Sequence, residues 1–352
     1  MTSVSAADLP PAPEALVDLH GAPREGAYQG DPRATSLEDA RAPGLGRLAA
    51  PGRPRGLLRA LRRKTWCWVG VFEEDCVVAA AVADAGYMGL AWAYVAEGEQ
   101  VVDVAWKAPG GLAVRAGPPL RPSVAMAPGR LISISPTATA AGEGGLTLTL
   151  ELPGLRAGFD IGPARSLTVV SDLGRGAGLP GATVKRGGMA AAGSVEIEGR
   201  RRPLTRALAC VDWTTGYFPR RTTWHWATGA GRDDGGRALG FNLARGVHDD
   251  ARGRFTENAL WLDGQPAALP PVGFLVGEGR TPWTIRGEGP AGLVDLVFEP
   301  RGERKEDVDL VLVSSKYRQP FGEFSGVLRD ARGREVRLDR VPGVAEDHLA
   351  VW

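Results

Sequence analysis

The sequence has few cysteines and no long hydrophobic run, and each shortage excludes a class of protein. The three cysteines, Cys67, Cys76 and Cys210, form no C-x-x-C pair. An odd count of this kind is typical of reduced thiols and not of a disulfide framework. The longest apolar run, residues 76–83, spans eight residues, whereas a membrane helix needs about 20. We therefore expect no integral membrane segment.

The sequence also lacks an excess of charge of either sign, because 42 basic side chains and 41 acidic ones leave a formal net charge of +1. This balance, and the absence of basic stripes with interleaved aromatics, argue against a nucleic-acid partner. The first residues lack the basic start and apolar core of a secretory signal, so we expect a cytoplasmic protein. The four histidines, His20, His225, His248 and His348, lack metal-site spacing, so neither a metal nor another cofactor is predicted.

Glycine and proline, in contrast, are abundant. The 49 glycines and 27 prolines are too many for a mostly helical bundle. Because 43% of the residues are apolar and ten are tryptophan, the chain can still bury a sizeable core.

Residues 1–64 are predicted to form an N-terminal arm with a short basic helix. The segment 53–64 carries six basic and no acidic residues, with Leu57, Leu58 and Leu61 at helical spacing. The simpler interpretation is a surface helix that docks its three leucines. The alternative is an amphipathic helix that lies on an anionic surface.

After the arm, short runs with a period of two recur about every 8–20 residues between turns rich in Gly, Pro and Asp. This pattern is typical of a β-sandwich or an up-and-down barrel. The glycine-rich stretch 171–193 is predicted to be a long loop or linker. The expected domains are therefore 65–193 and 194–352, and 346–352 is predicted to form one helical turn.

A short internal repeat supports a tandem arrangement. Residues 65–68, Thr-Trp-Cys-Trp, recur as 223–226, Thr-Trp-His-Trp, at an offset of 158 residues. Each copy follows two basic residues and opens a series of strands, and Asp84 meets Asn242 at the same offset. We interpret this as a duplicated β-domain.

A series of polar and aromatic motifs is densest between residues 210 and 264. The series consists of Asp212, Gly216, Pro219-Arg220, Trp224-His225-Trp226-Ala227, Asn242-Leu243, Glu257-Asn258, Asp263-Gly264 and residues 320–326. It resembles the bacterial family called domain of unknown function 2804, and the resemblance covers about residues 10–352. Residues 64–66, 84–87 and 346–352 are also similar to that family.

The resemblance implies no established activity. It implies a fold distantly similar to lipocalin-like two-domain proteins, which include carotenoid hydratases and certain cyclases that hold an apolar substrate between tandem barrels. We therefore expect an all-β protein of two tandem lipocalin-like antiparallel β-barrel or sandwich domains behind an N-terminal arm.

Alternation along residues 223–228 places Trp224 and Trp226 on one face of a strand and His225 on the other. In the simpler interpretation the Trp pair fills a core and His225 makes one hydrogen bond. In the functional interpretation this strand is the wall of a cavity, where indole rings bind a ligand and His225 exchanges a proton near neutral pH. Asp212 and Asn242, on neighbouring strands, would then lie within reach of His225.

Glu257 has two interpretations as well. It pairs with Arg220, Arg221 or His225 and braces the barrel, or it is desolvated in a cavity, where its pKa rises and it acts as an acid. The candidate catalytic residues are His225, Asp212 and Glu257, and the candidate ligand-binding residues are Trp224, Trp226, Asn242, Asn258, Arg221 and Tyr217.

The leading functional hypothesis is binding of an apolar or amphipathic small molecule, including a lipid-related one, in a β-barrel cavity. The first alternative is a cofactor-free hydratase, isomerase or cyclase that uses an imidazole and a carboxylate. The second is a structural protein without a pocket. The sequence leaves open the ligand, the oligomeric state and whether the protein is an enzyme.

Overall fold

The computed structural model describes residues 9–48, 56–98, 100–137, 144–250, 253–309 and 313–352. Strands dominate these ranges. Helix is confined there to α1 (Gly56–Arg62) and a 3-10 segment at Pro43–Leu48. No helix in the described ranges has the length and apolar character needed to cross a membrane.

Thirteen antiparallel strands form a first sheet that curls into a near-barrel. They are β1 (Gly26–Gln29), β2 (Arg63–Glu73), β3 (Cys76–Asp84), β4 (Met88–Glu97), β5 (Gln100–Pro109), β6 (Val114–Arg115), β7 (Ser123–Ala127), β8 (Arg130–Pro136), β9 (Leu146–Leu152), β10 (Leu155–Ile161), β11 (Leu167–Asp172), β12 (Pro180–Ile197) and β13 (Arg200–Tyr217). Their order is β5-β4-β3-β2-β13-β12-β10-β9-β8-β7-β6, with β11 on β12 and β1 on β11.

Nine antiparallel strands form a second sheet with the shape of a half-barrel. They are β14 (Arg221–Arg232), β15 (Ala238–Arg245), β16 (Ala259–Leu262), β17 (Gln265–Ala268), β18 (Gly273–Leu275), β19 (Trp283–Gly289), β20 (Gly292–Asp309), β21 (Ser314–Asp330) and β22 (Glu335–Val351). Their order is β17-β16-β15-β14-β22-β21-β20-β19-β18. Two tandem curled antiparallel sheets confirm the predicted all-β fold class.

Apolar alternation decides which face of each strand is buried. In β9 the sequence Leu-Thr-Leu-Thr-Leu-Glu-Leu buries its four leucines and leaves the intervening side chains partly or fully exposed. The buried leucines join the hydrocarbon core enclosed by the first sheet. A second core, which includes Phe241, Phe298 and Phe324, fills the concave side of the second sheet. The inside of each curled sheet is therefore packed with side chains.

The two sheets share one topology. In the first sheet β2 lies between β3 and the last strand, β13, and in the second β14 lies between β15 and the last strand, β22. The Trp-x-Trp repeat thus sits on corresponding strands, as a duplication predicts. Asp84 and Asn242 do not correspond, because Asp84 faces Thr65 whereas Asn242 faces Thr228.

The sheets divide the chain at a different point from the predicted domain boundary. Residues 180–193 are part of β12, and β13 completes the first sheet, so the division falls between Tyr217 and Arg221. Glycines in β12 reflect close packing and not a loop, since a Cβ at Gly193 would lie 2.0 Å from the carbonyl oxygen of Gly158. Residues 346–351 continue β22 and form no helical turn.

The N-terminal arm packs on the first sheet. Leu16 and Leu37 share a small core with Val170 and Ala182, and Arg186 donates to Asp31 over 2.6 Å. These contacts hold the described part of the arm against the first sheet.

Helix α1 differs from its simpler prediction. Leu57 and Leu58 are 74% and 52% exposed and are not docked. The buried side chain of α1 is Arg59, which donates to the carbonyl oxygens of Ala40 and Leu48. Hydrogen bonds from Arg59 to backbone carbonyl groups of the arm therefore hold this helix, whereas leucine contacts were expected to hold it.

The core enclosed by the second sheet should dominate its stability. Phe324 is fully buried, at 4.4 Å from Phe298 and 4.9 Å from Phe241 between ring centroids. We expect Phe324→Ala to lower the free energy of unfolding by about 3–5 kcal/mol, measured by denaturant titration. Leu275→Ala, at a position that is 73% exposed, is the control and should change it by less than about 0.5 kcal/mol. Equal effects would contradict this assignment of the core.

Candidate functional site

A cavity of about 470 Å³ lies between the two sheets. Its walls include Trp66, Trp68, Trp92, Lys185 and Asp212 from the first sheet and Trp224, Trp226, Arg304, Tyr317, Glu346 and His348 from the second. The loops add Glu257 and His248. The cavity lies outside both concave cores, so the predicted location inside a barrel is corrected.

The two copies of the Trp-x-Trp repeat meet at this cavity. Trp66 stacks on Trp224 with ring centroids 6.3 Å apart and planes 6° apart. Trp68 meets Trp226 edge-on, at 4.8 Å and 86°. Because corresponding faces of the two sheets carry the indoles, the sheets pack through four large flat side chains. Flat rings of this size favour a hollow with apolar walls.

A buried ion cluster forms one part of the wall. The ammonium of Lys185 lies 2.9 Å from Oδ1 of Asp212 and 3.0 Å from Oε2 of Glu257, and all three side chains are almost fully buried. Lys185 and Asp212 face each other in the β12–β13 ladder, whereas Glu257 precedes β16 of the second sheet. The hydroxyls of Thr214 and Thr183 donate to Oδ1 of Asp212 over 2.8 and 3.2 Å. The cluster therefore joins the two sheets.

Burial and charge set the protonation of this cluster. Burial disfavours the charged form of Lys185, but Asp212 and Glu257 outweigh that effect and hold its pKa above the ordinary value. Burial raises the pKa of Glu257, and Asp212 raises it further, against the opposing pull of Lys185. One cation thus serves two carboxyl groups, and the pKa of Glu257 stays above its ordinary value.

His248 lies in the same wall as a neutral imidazole. Its Nδ1 is 2.9 Å from the hydroxyl of Ser171, and its buried Nε2 has no hydrogen-bond partner among the described residues. Burial, reinforced by the charge of Lys185, lowers the pKa of His248 to about 3. Near neutral pH this ring can share a hydrogen bond but carries no charge.

The opposite wall carries a second polar network, centred on Glu346. Its carboxylate accepts hydrogen bonds from Nε1 of Trp224 over 2.8 Å and from Nε2 of Gln319 over 3.0 Å. Nε2 of His348 lies 2.8 Å from the hydroxyl of Ser315. Burial and the neighbouring Glu346 raise the pKa of Tyr317 well above its ordinary value. The hydrogen bond to Glu346 and the ring of His348, at 4.1 Å between centroids, orient the indole of Trp224.

The structure separates the predicted site residues into two groups. Asp212, Glu257, Trp224 and Trp226 line the cavity. His225 does not, because strand alternation turns it to the other face of β14. There its Nε2 lies 3.3 Å from Asp347 and its ring stacks on Phe274 at 5.6 Å. The imidazole–carboxylate pairs expected between His225 and Asp212 or Glu257 do not form.

The two predicted amides have structural contacts. Asn242 accepts a hydrogen bond from Nε1 of Trp226 over 2.7 Å and donates to the carbonyl oxygen of Glu257 over 2.7 Å. Asn258 accepts from the backbone of Ala244 and donates to that of Pro270. Asn242 therefore holds the indole of Trp226 and the backbone of Glu257 without lining the cavity itself.

The remaining predicted ligand-binding residues lie elsewhere. Tyr217 is buried with the guanidinium of Arg59 4.9 Å from its ring centroid, and Arg221 is exposed. Neither is part of the cavity wall. Arg220 and Arg221, the expected partners of Glu257, are replaced in that role by Lys185.

Sequence reasoning missed Lys185, Glu346 and His348. Lys185 falls in the stretch that was predicted to be a linker, and the two others fall in the predicted helical turn. Glu346 and His348 face Trp226 and Trp224 across the β14–β22 ladder. Their place at the site can be recognised only once this strand pairing is known. Within the described ranges, no group of three or more His, Cys, Asp and Glu side chains could hold a metal ion.

Comparisons with known proteins place almost the whole chain in a family. The family described as domain of unknown function 2804 matches residues 13–352. No functionally curated protein matches the sequence.

The solved structures that match this chain are distant in sequence. CghA with Sch210972 has 11% identity and a TM-score of 0.45, over 83% of this chain and 89% of that one. A second structure of CghA has 10% identity and a TM-score of 0.45, over 98% of both chains. Kievitone hydratase from Nectria haematococca has 12% identity and a TM-score of 0.45, over 82% and 88%. Such similarity says nothing about what this chain binds.

Removing the cation of the buried cluster should be costly. Lys185→Met leaves Asp212 and Glu257 buried without a counterion, so we expect the free energy of unfolding to fall by about 3–5 kcal/mol at pH 8. The loss relative to the unsubstituted protein should shrink at pH 5, because burial raises the pKa of Glu257 and a proton there replaces part of the missing positive charge. Denaturant titrations at both pH values measure this, and a loss that is the same at both would contradict it.

His248 should make the fold sensitive to acid. Its folded-state pKa of about 3 lies below the ordinary value of 6.5, so its contribution is complete above pH 6.5 and is lost as the pH falls toward 3. The slope is about 1.4 kcal/mol per pH unit within that window. His248→Gln should remove this slope, measured as unfolding free energies between pH 7 and 4.5. Parallel pH curves for the two proteins would exclude this role.

Proposed function

Because this chain belongs to the family described as domain of unknown function 2804, whose description assigns no activity, we propose its function from the cavity. We propose that the protein binds an apolar or amphipathic small molecule between its two sheets. The observation that carries this proposal is an indole-walled cavity that also contains a buried ion cluster. A volume of about 470 Å³ is within the range typical of small-molecule sites.

The walls suit a ligand with a flat or extended apolar body and a polar group. Trp66, Trp68, Trp224 and Trp226 supply ring faces and edges from both sheets. Trp68 Nε1 and His248 Nε2 are buried without a hydrogen-bond partner among the described residues. Unused polar capacity next to an apolar hollow favours a ligand that brings a few oxygen or nitrogen atoms.

Ligand capture tests the proposal. The purified protein is incubated with a lipid and small-molecule extract, and retained species are identified by native mass spectrometry. Ala83 lines the cavity, so Ala83→Phe should fill part of it and reduce retention at least about tenfold. Ala34 is exposed and remote, and Ala34→Phe is the matched control that should retain the same species. No retained species, or equal retention by both variants, would contradict the proposal.

A second candidate function is proton-transfer chemistry on the bound molecule, as in a cofactor-free hydratase, isomerase or cyclase. The observation that favours it is Glu257, a cavity-lining carboxyl group whose pKa is raised by burial. A carboxyl group whose pKa is raised in this way keeps its proton to a higher pH than an ordinary glutamate, which favours a role as a general acid. Lys185 and Asp212 would hold it in place through the ion cluster.

Isotope exchange distinguishes binding from chemistry. The captured molecule is incubated with the protein in D2O and its mass is followed. Enzymatic proton transfer predicts incorporation of deuterium, or of the elements of water, with the unsubstituted protein and a loss of at least about 100-fold with Glu257→Gln. Unaltered ligand mass over many hours would leave binding as the function and eliminate the catalytic alternative.

A further inference from the structure

Lys64 is a buried cation at the cavity that the ion cluster does not use. It is the second residue of β2, is 4% exposed and lines the cavity. Its ammonium donates to the carbonyl oxygens of Ala85, over 2.5 Å, and Leu61, over 3.2 Å. An ammonium has three N–H donors, so these two hydrogen bonds leave one unused.

No carboxylate in the described part of the chain lies within ion-pair distance of Lys64. The nearest acidic neighbour along the ladder, Asp84, gives its Oδ1 to the backbone amide of Gly86 over 2.7 Å. The rings of Tyr87 and Trp352 lie 4.7 and 5.7 Å from the ammonium. The charge is therefore enclosed by carbonyl oxygens and aromatic rings, and its remaining donor has no anion.

The other buried cations of the cavity wall have the carboxylate partners that Lys64 lacks among the described residues. Lys185 has two carboxylate partners, and Arg304 has Asp103 at 3.2 Å and Glu306 at 3.3 Å. An unpaired buried charge is costly, and the fold compensates that cost at both of these sites. Burial and the nearby Arg62, against the opposing charge of Asp84, lower the pKa of Lys64 to about 8, so most of the population is still charged at pH 7.

Strand geometry relates Lys64 to the ion cluster. Lys64, Trp66 and Trp68 alternate on one face of β2, and Trp68 faces Asp212 across the β2–β13 ladder. Four residues of strand span about 13 Å. Lys64 therefore stands at one end of a row of indoles, and Asp212 of the ion cluster lies beside both of them, because it faces Trp68 and accepts a hydrogen bond from Nε1 of Trp66 over 3.3 Å.

We propose that Lys64 binds the carboxylate of an amphipathic ligand whose apolar body lies along Trp66 and Trp68. This inference rests on the proposed function and names the ligand class: an organic monocarboxylate with an apolar body about 13 Å long. A monoanion fits better than a phosphate dianion, because the wall also contains the acidic residues Asp84, Glu306 and Glu346.

A matched pair of probes tests the inference. Decanoate and decanol have the same chain and differ in the charged end. We expect the unsubstituted protein at pH 7 to bind decanoate about tenfold more tightly than decanol, measured by calorimetry and tryptophan fluorescence, because a charge-assisted hydrogen bond forms only with decanoate. Lys64→Met should abolish this preference and leave decanol affinity within about twofold.

Two further variants guard against misinterpretation. Lys64→Arg keeps the charge and should keep a preference for decanoate. Lys305→Met removes a cation whose side chain is 71% exposed and should change neither affinity. If Lys64→Met does not fold, the decanoate–decanol ratio of the unsubstituted protein decides. Equal affinities there would overturn the role of Lys64 while the proposed function stands. Failure of both probes, together with an empty capture experiment, would overturn both.

Discussion

The structure depends on the compensation of buried charge where the two sheets meet. Lys185 of the first sheet lies 3.0 Å from Glu257 of the second and 2.9 Å from Asp212 of its own sheet. Desolvating these groups costs several kcal/mol per ion, and the cost is met only while the sheets keep one relative position. The same constraint keeps polar chemistry in the wall of a cavity that is otherwise apolar.

Two further contacts fix the spacing of the sheets. Gly188 (φ 64°) in β12 lies very close to Gly240 in β15 of the second sheet. A Cβ added to Gly240 would be 2.1 Å from the amide nitrogen of Gly188. Elsewhere the Trp pairs of β2 and β14 hold the sheets apart by the size of their rings. Close approach at the glycines and separation at the indoles leave the hollow between the sheets, while each concave side is filled.

Much of the fold could be predicted from sequence because strand alternation is a local signal. The pattern of β9 and the hairpin of β2 and β3 follow directly from it. The domain boundary expected at residue 193 does not match the sheets, because glycine occurs both in loops and in closely packed strands. In β12 the glycines permit close packing, where a loop was expected. Pairing of β22 with β14 depends on residues more than 100 positions apart, which periodicity does not encode.

The candidate site was partly predictable for the same reason. Alternation correctly separated Trp224 and Trp226 from His225, but it does not decide which face meets the other sheet. Asp212 and Glu257 were found through their motifs, whereas their partner Lys185 lay in the supposed linker. The imidazoles next to the cavity are those of His248 and His348, and only tertiary pairing brings them there.

The central claim is that the apolar hollow lies between the sheets and not inside either of them. Crystals pressurised with xenon test this directly, because xenon occupies apolar cavities. The structure predicts xenon density beside Trp68 and Trp226, between β2 and β14. Density confined to the cores around Val69 or Phe324, or no density beside the indoles, would contradict it.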